Sequence, residues 1–228
     1  MKKLVIAHRG ASSMARENTL EAFQKAIDLR VDMIEFDVRR TRDQRHVIYH
    51  DPQLAGKPLN ELTCLEVRQI ARTLGFHVPE LEEVLRLTRG RIGLDIELKE
   101  GGYEREVIDQ ICDILPEEDF IVSSFHGGSI SRVKRYRFSV RTGFIFRDAA
   151  ALATGILERD ADWLFPFQSL ASGELLERMR RTGKKIAVWT VNDTQQMKRL
   201  LDDDRIEGII TDRADIALGV RAGRNVLD

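Results

Sequence analysis

Short apolar runs alternate with amphipathic stretches from one end of the chain to the other. The runs Leu4 to His8, Met33 to Val38, Ile92 to Leu98, Phe120 to Ser124, Arg141 to Phe146, Asp162 to Phe165, Lys185 to Val191 and Gly208 to Thr211 read as eight strands. The longer segments between them read as helices, so the pattern is that of repeated βαβ units and a parallel sheet. Asn18 with Glu21, and Asp193 with Gln196, have the spacing of N-cap and capping-box pairs. After the first of these, Leu20, Phe23 and Ile27 recur at intervals of three and four, a face that packs against the sheet. Eight right-handed crossovers without a linker or a shift of composition predict a (β/α)8 TIM barrel filling residues 1–228 as a single domain. An open doubly wound sheet is the alternative topology.

One segment breaks the alternation. Val38 passes through the polar Thr41 to Arg45 into a second apolar run, Val47 to His50. Two strands joined by so short a turn must be antiparallel, because a parallel return needs a dozen or more residues. A turn centred on Asp43-Gln44 predicts a small β-hairpin excursion after strand 2 in which position 50 faces position 37. His50 then arrives beside Asp37 at the carboxyl end of the second barrel strand, the end where barrel enzymes carry their chemistry.

The strands contain charges that a core does not want. Glu35 and Asp37 are two apart in one strand, so they share a face, and Asp95 and Glu97 repeat the arrangement one barrel strand later. Four carboxylates in apolar strands are costly to bury without donors or a cation. A hard divalent metal supplies that compensation; ion pairs with Arg or Lys at the barrel end would do so too. His8 ends the first strand, and two imidazoles at one rim beside an acidic site make a general acid and a general base near neutral pH. Arg9 and Lys99 add positive charge there, suited to an anionic phosphoryl group or equally to a carboxylate. His46 and His77 read as surface residues, and His126 as a strand-end residue open to substrate.

Composition narrows the partners. The 228 residues carry 36 basic and 37 acidic side chains, interspersed, for a net charge of -1, so no basic face predicts a nucleic-acid partner. Arg132 to Arg141 reads as one solvated helix face and the turn after it. The apolar run after Met1-Lys2-Lys3 is shorter than the about 7 to 15 residues of a signal core. No segment reaches the about 18 apolar residues of a membrane span. The expectation is a cytoplasmic protein with a small-molecule substrate and no membrane insertion; oligomeric state is unreadable. Cys64 and Cys112 lack the spacing of a disulfide framework or a thiolate metal site.

The ordered motifs resemble those of the glycerophosphodiester phosphodiesterase family. His8-Arg9-Gly10, Glu17-Asn18-Thr19, Glu35-Phe36-Asp37, His50-Asp51-Pro52 and Glu97-Leu98-Lys99 are similar to its HRG, ENT, ExD, HDP and ELK elements. Pro79 to Leu85, Ser124-Phe125, Trp189-Thr190-Val191-Asn192 and Gly208 to Asp212 resemble the later blocks, so the likeness runs from residue 5 to about 213. It implies the barrel fold and metal-dependent hydrolysis of glycerophosphodiesters to glycerol 3-phosphate and an alcohol. Carried over by position, Glu35, Asp37 and Glu97 hold one divalent cation, Mg2+, Ca2+ or Mn2+. The same carry-over makes His8 and His50 the acid-base pair, with His8 as base, and sets Arg9 and Lys99 on phosphate. Trp189 either lines the glycerol pocket or packs in the barrel.

Three departures stand out: Arg16 where the family has Pro, a short Gln53 to Leu62 segment that predicts an open pocket rim, and Pro79-Glu80 without the usual Thr. Two other functions suit the same residues: a lysophospholipase D-like barrel with Phe165, Pro166 and Phe167 as an acyl patch, and a non-catalytic phosphate-binding barrel.

Overall fold

The computed structural model describes residues 2–150 and 160–224. Eight strands, β1 (Leu4–His8), β2 (Met33–Arg40), β6 (Gly93–Leu98), β7 (Phe120–Ser124), β8 (Thr142–Phe146), β9 (Trp163–Pro166), β10 (Lys185–Val188) and β11 (Gly208–Thr211), pair in parallel in that order. The ring closes because β1 pairs with β2 on one side and β11 on the other, with Ala7 opposite Ile34 and Thr211. The chain is therefore a closed barrel, and the open-sheet alternative is set aside. Its helices are α1 (Leu20–Leu29), α2 (Cys64–Thr73), α3 (Leu81–Thr88), α4 (Glu104–Cys112), α5 (Gly127–Tyr136), α6 (Gly173–Arg180), α7 (Thr194–Asp202) and α8 (Ala214–Arg221).

Strand alternation divides the core in two. Residues such as Val5, Ile34, Ile96, Val122 and Ile209 face outward against the helices, where Phe23, Val84 and Ile108 meet them. Ile6, Met33, Ile121, Ile145, Phe165, Ala187 and Ile210 point inward and fill the barrel. Phe23 is buried on α1, with Leu20 and Ile27 partly buried beside it, as their spacing predicts. The predicted strand Lys185 to Val191 ends three residues early, at Val188.

Three local expectations are corrected. α1 is capped by Thr19, which accepts from the Ala22 amide; Asn18 adopts a left-handed backbone (φ 56°) and turns its amide inward instead. The hairpin of β2 with β3 (His46–Ile48) pairs Val38 with Ile48 and Arg40 with His46, and the Tyr49 amide donates to the Asp37 carbonyl, so Tyr49 rather than His50 stands opposite Asp37. Left-handed Gln44 (φ 62°) makes a three-residue loop centred on Asp43, which slips the register by one. His46 is buried rather than on the surface: its ring packs against Tyr103 and its Nδ1 lies 3.0 Å from the Gln110 amide oxygen. Asp193 does cap α7, accepting from the Gln196 amide at 2.7 Å.

The segment after His50 forms a two-stranded ribbon, β4 (Gln53–Leu54) with β5 (Lys57–Pro58). With β3 and α2 it builds a separate small cluster of Val47, Leu54, Leu59, Leu62 and Val67. That cluster anchors the chain on either side of His50.

At the opposite end, Asp32 ties the barrel shut. Its carboxylate accepts from the Val5 amide at 2.9 Å, pairs with Lys2 at 2.7 Å and accepts from Arg221 of the last helix. Burial alone would raise its pKa, but these donors outweigh it and hold it below 3.8. A carboxylate depressed in the folded state contributes stability above the unfolded pKa and loses it as pH falls through the folded one. Asp32→Asn should therefore cost about 1–2 kcal/mol at neutral pH. The gap between variant and parent in urea unfolding should narrow as pH drops below about 4; a gap that stays constant with pH would show that the charge contributes nothing.

Candidate active site

Glu35 and Asp37 are inward residues of β2, and Asp95 and Glu97 are inward residues of β6. The parallel register sets Glu35 beside Asp95 and Asp37 beside Glu97. Ligand oxygens of Glu35, Asp37 and Glu97 all lie within 4.8 Å of one another. Oxygens in one Ca2+ shell at 2.3–2.6 Å from the ion are at most about 5 Å apart, so the three fit around a single cation. Asp95 is not in this group. It is fully buried, and burial, with Glu97 and Asp37 adding to it, outweighs the lowering pull of the neighbouring Ser123 hydroxyl and pushes its pKa up to about 7.

Two cations partly offset the acids. Arg9 Nε lies 3.2 Å from Asp37, its Nη1 donates to Glu17 at 2.9 Å, and its backbone amide donates to Glu35 at 2.9 Å. Lys99 Nζ stands 2.7 Å from Glu97 and 3.3 Å from Asp37. Asp37 also accepts from the Asn18 amide at 2.7 Å. Burial would raise the Asp37 pKa, but Lys99, Arg9, His50 and Asn18 together lower it. Glu35 has less help: burial, then Asp37 and Glu97, push it well above the ordinary value. Glu97 is raised to about 7 by burial and by Asp37, against the pull of Lys99. Four buried carboxylates against two cations leave a deficit of two positive charges. Glu35 Oε1 has no partner and Asp37 Oδ1 has only the Lys99 ion pair at 3.3 Å, so the deficit sits between them, and the donor set is the all-oxygen set a hard divalent ion takes.

The tight turn after β1 makes this geometry possible. Arg9 is left-handed (φ 56°), and Gly10 (φ 84°) passes so close to α1 that a Cβ would meet Ala22 at 2.8 Å. Only glycine fits there, and its presence lets the Arg9 amide reach Glu35.

His8, Arg9, Glu35, His50, Asp95, Glu97, Lys99 and Trp189 line one cleft at the carboxyl end of the barrel, and buried Asp37 lies against Arg9 and Lys99. The His8 Nδ1 is 2.6 Å from Asp212 and its Nε2 faces the acids, 3.9 Å from Glu35. His50, beyond the end of β3, sets its Nδ1 2.8 Å from Asp51. Burial lowers the His50 pKa, as do Lys99 and Arg9, against the opposing pull of Asp37. Trp189 packs in the barrel and also borders the cleft. It is 8% exposed and its Nε1 donates to the Phe165 carbonyl.

Other candidates fall elsewhere. His126 is exposed, with its Nε2 on the Lys99 carbonyl at 3.2 Å, and does not line the cleft. Of the proposed acyl patch, Phe165 and Pro166 belong to buried β9, where Phe165 lines the floor of the cleft, and Phe167 is half-buried against Trp189, so the three do not form one exposed apolar patch. Arg16, in the place of a proline, stacks over Phe76 at 3.5 Å. Glu80 begins α3 in a capping box with Glu83, which accounts for the missing Thr. A roomier hollow at the amino-terminal end, lined by residues including Lys2, Arg141, Lys185 and Asp204, is far from these groups.

Asp212 and Arg147 were not singled out from the sequence as site residues, although a signal for them exists. Each is the next inward position after the last core residue of its strand: Ile210 then Asp212, Ile145 then Arg147. The same count of two leads from Ile6 to His8 and from Glu35 to Asp37. Asp212 accepts from Asn192 at 2.6 Å and from Ser12 at 3.3 Å as well as meeting His8.

Imidazoles, cations and unsatisfied acids around one cleft at a barrel's carboxyl rim are the equipment of a hydrolase that handles an anion. Residues 8–216 match the glycerophosphoryl diester phosphodiesterase family, and the chain belongs to that family of enzymes. A protein of Caldanaerobacter subterraneus named glycerophosphodiester phosphodiesterase is 32% identical over 93% of this chain and 95% of its own length. A glycerophosphodiester phosphodiesterase structure from Thermotoga maritima superposes with a TM-score of 0.79 at 26% identity, covering 96% of this chain and 99% of that one. A phosphodiesterase of Oleispira antarctica, solved with the product sn-glycerol-3-phosphate, shares the fold with a TM-score of 0.85 at 23% identity, covering 95% and 96%. Among the described residues no helix is long and apolar enough to cross a membrane.

Buried Asp95 generates a stability prediction. Asp95→Asn keeps the shape and removes a buried carboxylate that no cation among the described residues pairs with, so at pH 8 it should raise the melting temperature by roughly 2–8 °C, equivalent to about 1–2 kcal/mol. A lower melting temperature would mean that Asp95 has a charged partner.

Proposed function

We propose that the chain hydrolyses glycerophosphodiesters to glycerol 3-phosphate and an alcohol, as a single domain acting in the cytoplasm. The observation that carries this reading is the meeting of His8, with its Asp212 partner, and His50 across one cleft from the Glu35, Asp37 and Glu97 oxygens. Product seen in the Oleispira relative supports the substrate class. Two thiols without a disulfide suit a reducing compartment.

Glu35, Asp37 and Glu97 would hold one Mg2+, Ca2+ or Mn2+ ion, which when bound supplies electrostatic stabilisation of the phosphoryl oxygens. The remaining N–H groups of Arg9 and Lys99, beyond those given to Glu17, Asp37 and Glu97, take the phosphate. Asp212 holds His8 through Nδ1, leaving Nε2 to accept the proton of the attacking hydroxyl, whether of water or of the substrate's own glycerol through a cyclic phosphate. His50, steadied by Asp51, returns a proton to the leaving alkoxide. A bound phosphodiester supplies the negative charge that favours protonated His50, offsetting the burial that lowers its pKa. Trp189 forms an apolar wall for one arm of the diester.

The test is release of glycerol 3-phosphate from glycerophosphoglycerol. Activity should vanish with chelator and return with one of the three ions. His8→Ala and His50→Ala should each lower kcat about 100- to 10,000-fold with unchanged melting temperature. Full activity in chelator, or in either variant, would refute the assigned roles; no product from the parent enzyme with any of the ions would refute the function.

A further inference from the structure

The wall of the cleft facing the acids is aromatic and carries its own cation. Phe125 and Phe167 meet Trp189 edge to face at 5.3 and 5.4 Å. Such a group of rings is the usual cage for a quaternary ammonium ion, because the ring faces attract cations. Here the faces are taken. The Arg147 guanidinium sits 4.7 Å over Trp189 and 5.4 Å over Phe167, and Lys99 lies 5.8 Å over Phe125.

Arg147 differs from the other cations of the cleft. Arg9 is committed to Glu17 and Asp37, and Lys99 to Glu97 and Asp37. Among the described residues no carboxylate pairs with Arg147; its neighbour Asp148 instead accepts from the Ala150 amide at 2.8 Å. Among the described residues the contacts of Arg147 are the ring faces of Trp189 and Phe167, and it stands exposed at the cleft.

Which arm of the substrate meets this wall follows from hydrogen bonding. The glycerol arm brings two hydroxyls, each needing an acceptor for its proton, and the wall offers none from its side chains: the Trp189 Nε1 is a donor already spent on the Phe165 carbonyl, and Arg147 only donates. The acceptors and donors lie on the other side, at Glu17, His50 and Asp51, which line an adjoining polar groove. The leaving alcohol therefore faces Arg147.

We propose that Arg147 is a specificity residue that reads the charge of the leaving alcohol, favouring diesters whose leaving arm carries a second phosphate and disfavouring those that carry a quaternary ammonium. This assignment rests on the hydrolysis of glycerophosphodiesters proposed above. Glycerol is uncharged and common to every substrate of the class, so a formal charge at this position discriminates only through the variable arm. Attraction and repulsion across a solvent-exposed gap are each worth about twofold to fivefold, and for arms of opposite sign they multiply to about 4- to 25-fold.

Three diesters of graded leaving-arm charge provide the test: bis(glycerophospho)glycerol (negative), glycerophosphoglycerol (neutral) and glycerophosphocholine (positive). Parent enzyme should rank them in that order by kcat/KM, with the spread shrinking as salt is raised. In Arg147→Gln the ratio of negative to positive substrate should fall about 4- to 25-fold, while Arg147→Lys, which keeps the charge, should hold the ratio within about threefold. Hydrolysis of all three with the same ratio in parent and Arg147→Gln would overturn the role of Arg147 while leaving the proposed function standing. Hydrolysis of none by the parent enzyme would overturn that function, and this inference with it.

Discussion

Four carboxylates buried in the mouth of a barrel are an electrostatic debt that the chain's own cations meet only in part. Glu35, Asp37, Asp95 and Glu97 stand on adjacent strands in register, and Arg9 and Lys99 are the cations that reach them. In a site of low dielectric, repulsion among such groups outweighs the value of any single hydrogen bond. The structure answers locally: Asp37 collects Arg9, Lys99 and Asn18 and stays ionised, while burial drives Glu35, Asp95 and Glu97 toward their protonated forms. A divalent ion would relieve the conflict among Glu35, Asp37 and Glu97, whose ligand oxygens lie within 4.8 Å of one another.

The rest of the rim can be understood from that demand. Gly10 is needed so that the turn after β1 can bring the Arg9 amide onto Glu35. Asn18 gives up the helix cap to Thr19 and spends its amide on Asp37. The β2–β3 hairpin and the small cluster beneath it carry His50 back over the acids, and Asp212 at the end of the last strand fixes His8 from the other side. Chemistry collects where the strands end because alternation aims one residue of each strand into the mouth.

Much of this was legible in the residues. Of the eight strands, those at Leu4–His8, Phe120–Ser124 and Gly208–Thr211 match end to end and the other five differ by one to three residues, since long periodic runs signal existence better than boundaries. Paired acids two apart in apolar strands announced themselves by their cost. What failed did so for local physical reasons. A turn centred on Asp43-Gln44 is even, and left-handed Gln44 makes the loop odd, setting Tyr49 where an even turn would set His50. Asn18 looked like a cap because nothing in its neighbourhood reveals a partner nineteen residues away. His46 looked like surface because its Tyr103 and Gln110 partners come from distant segments. Asp212 and Arg147 were overlooked although inward alternation, continued one step past each strand's last core residue, leads to both.

The central claim is that Glu35, Asp37 and Glu97 share one divalent cation. Anomalous diffraction from crystals soaked in Mn2+ tests it most directly. A single peak bonded to oxygens of all three, with Lys99 swung away from Glu97 to make room, is the result this account requires. A metal-free cluster with Lys99 still bridging Glu97 and Asp37 at saturating Mn2+, or a peak held elsewhere in the barrel, would contradict it.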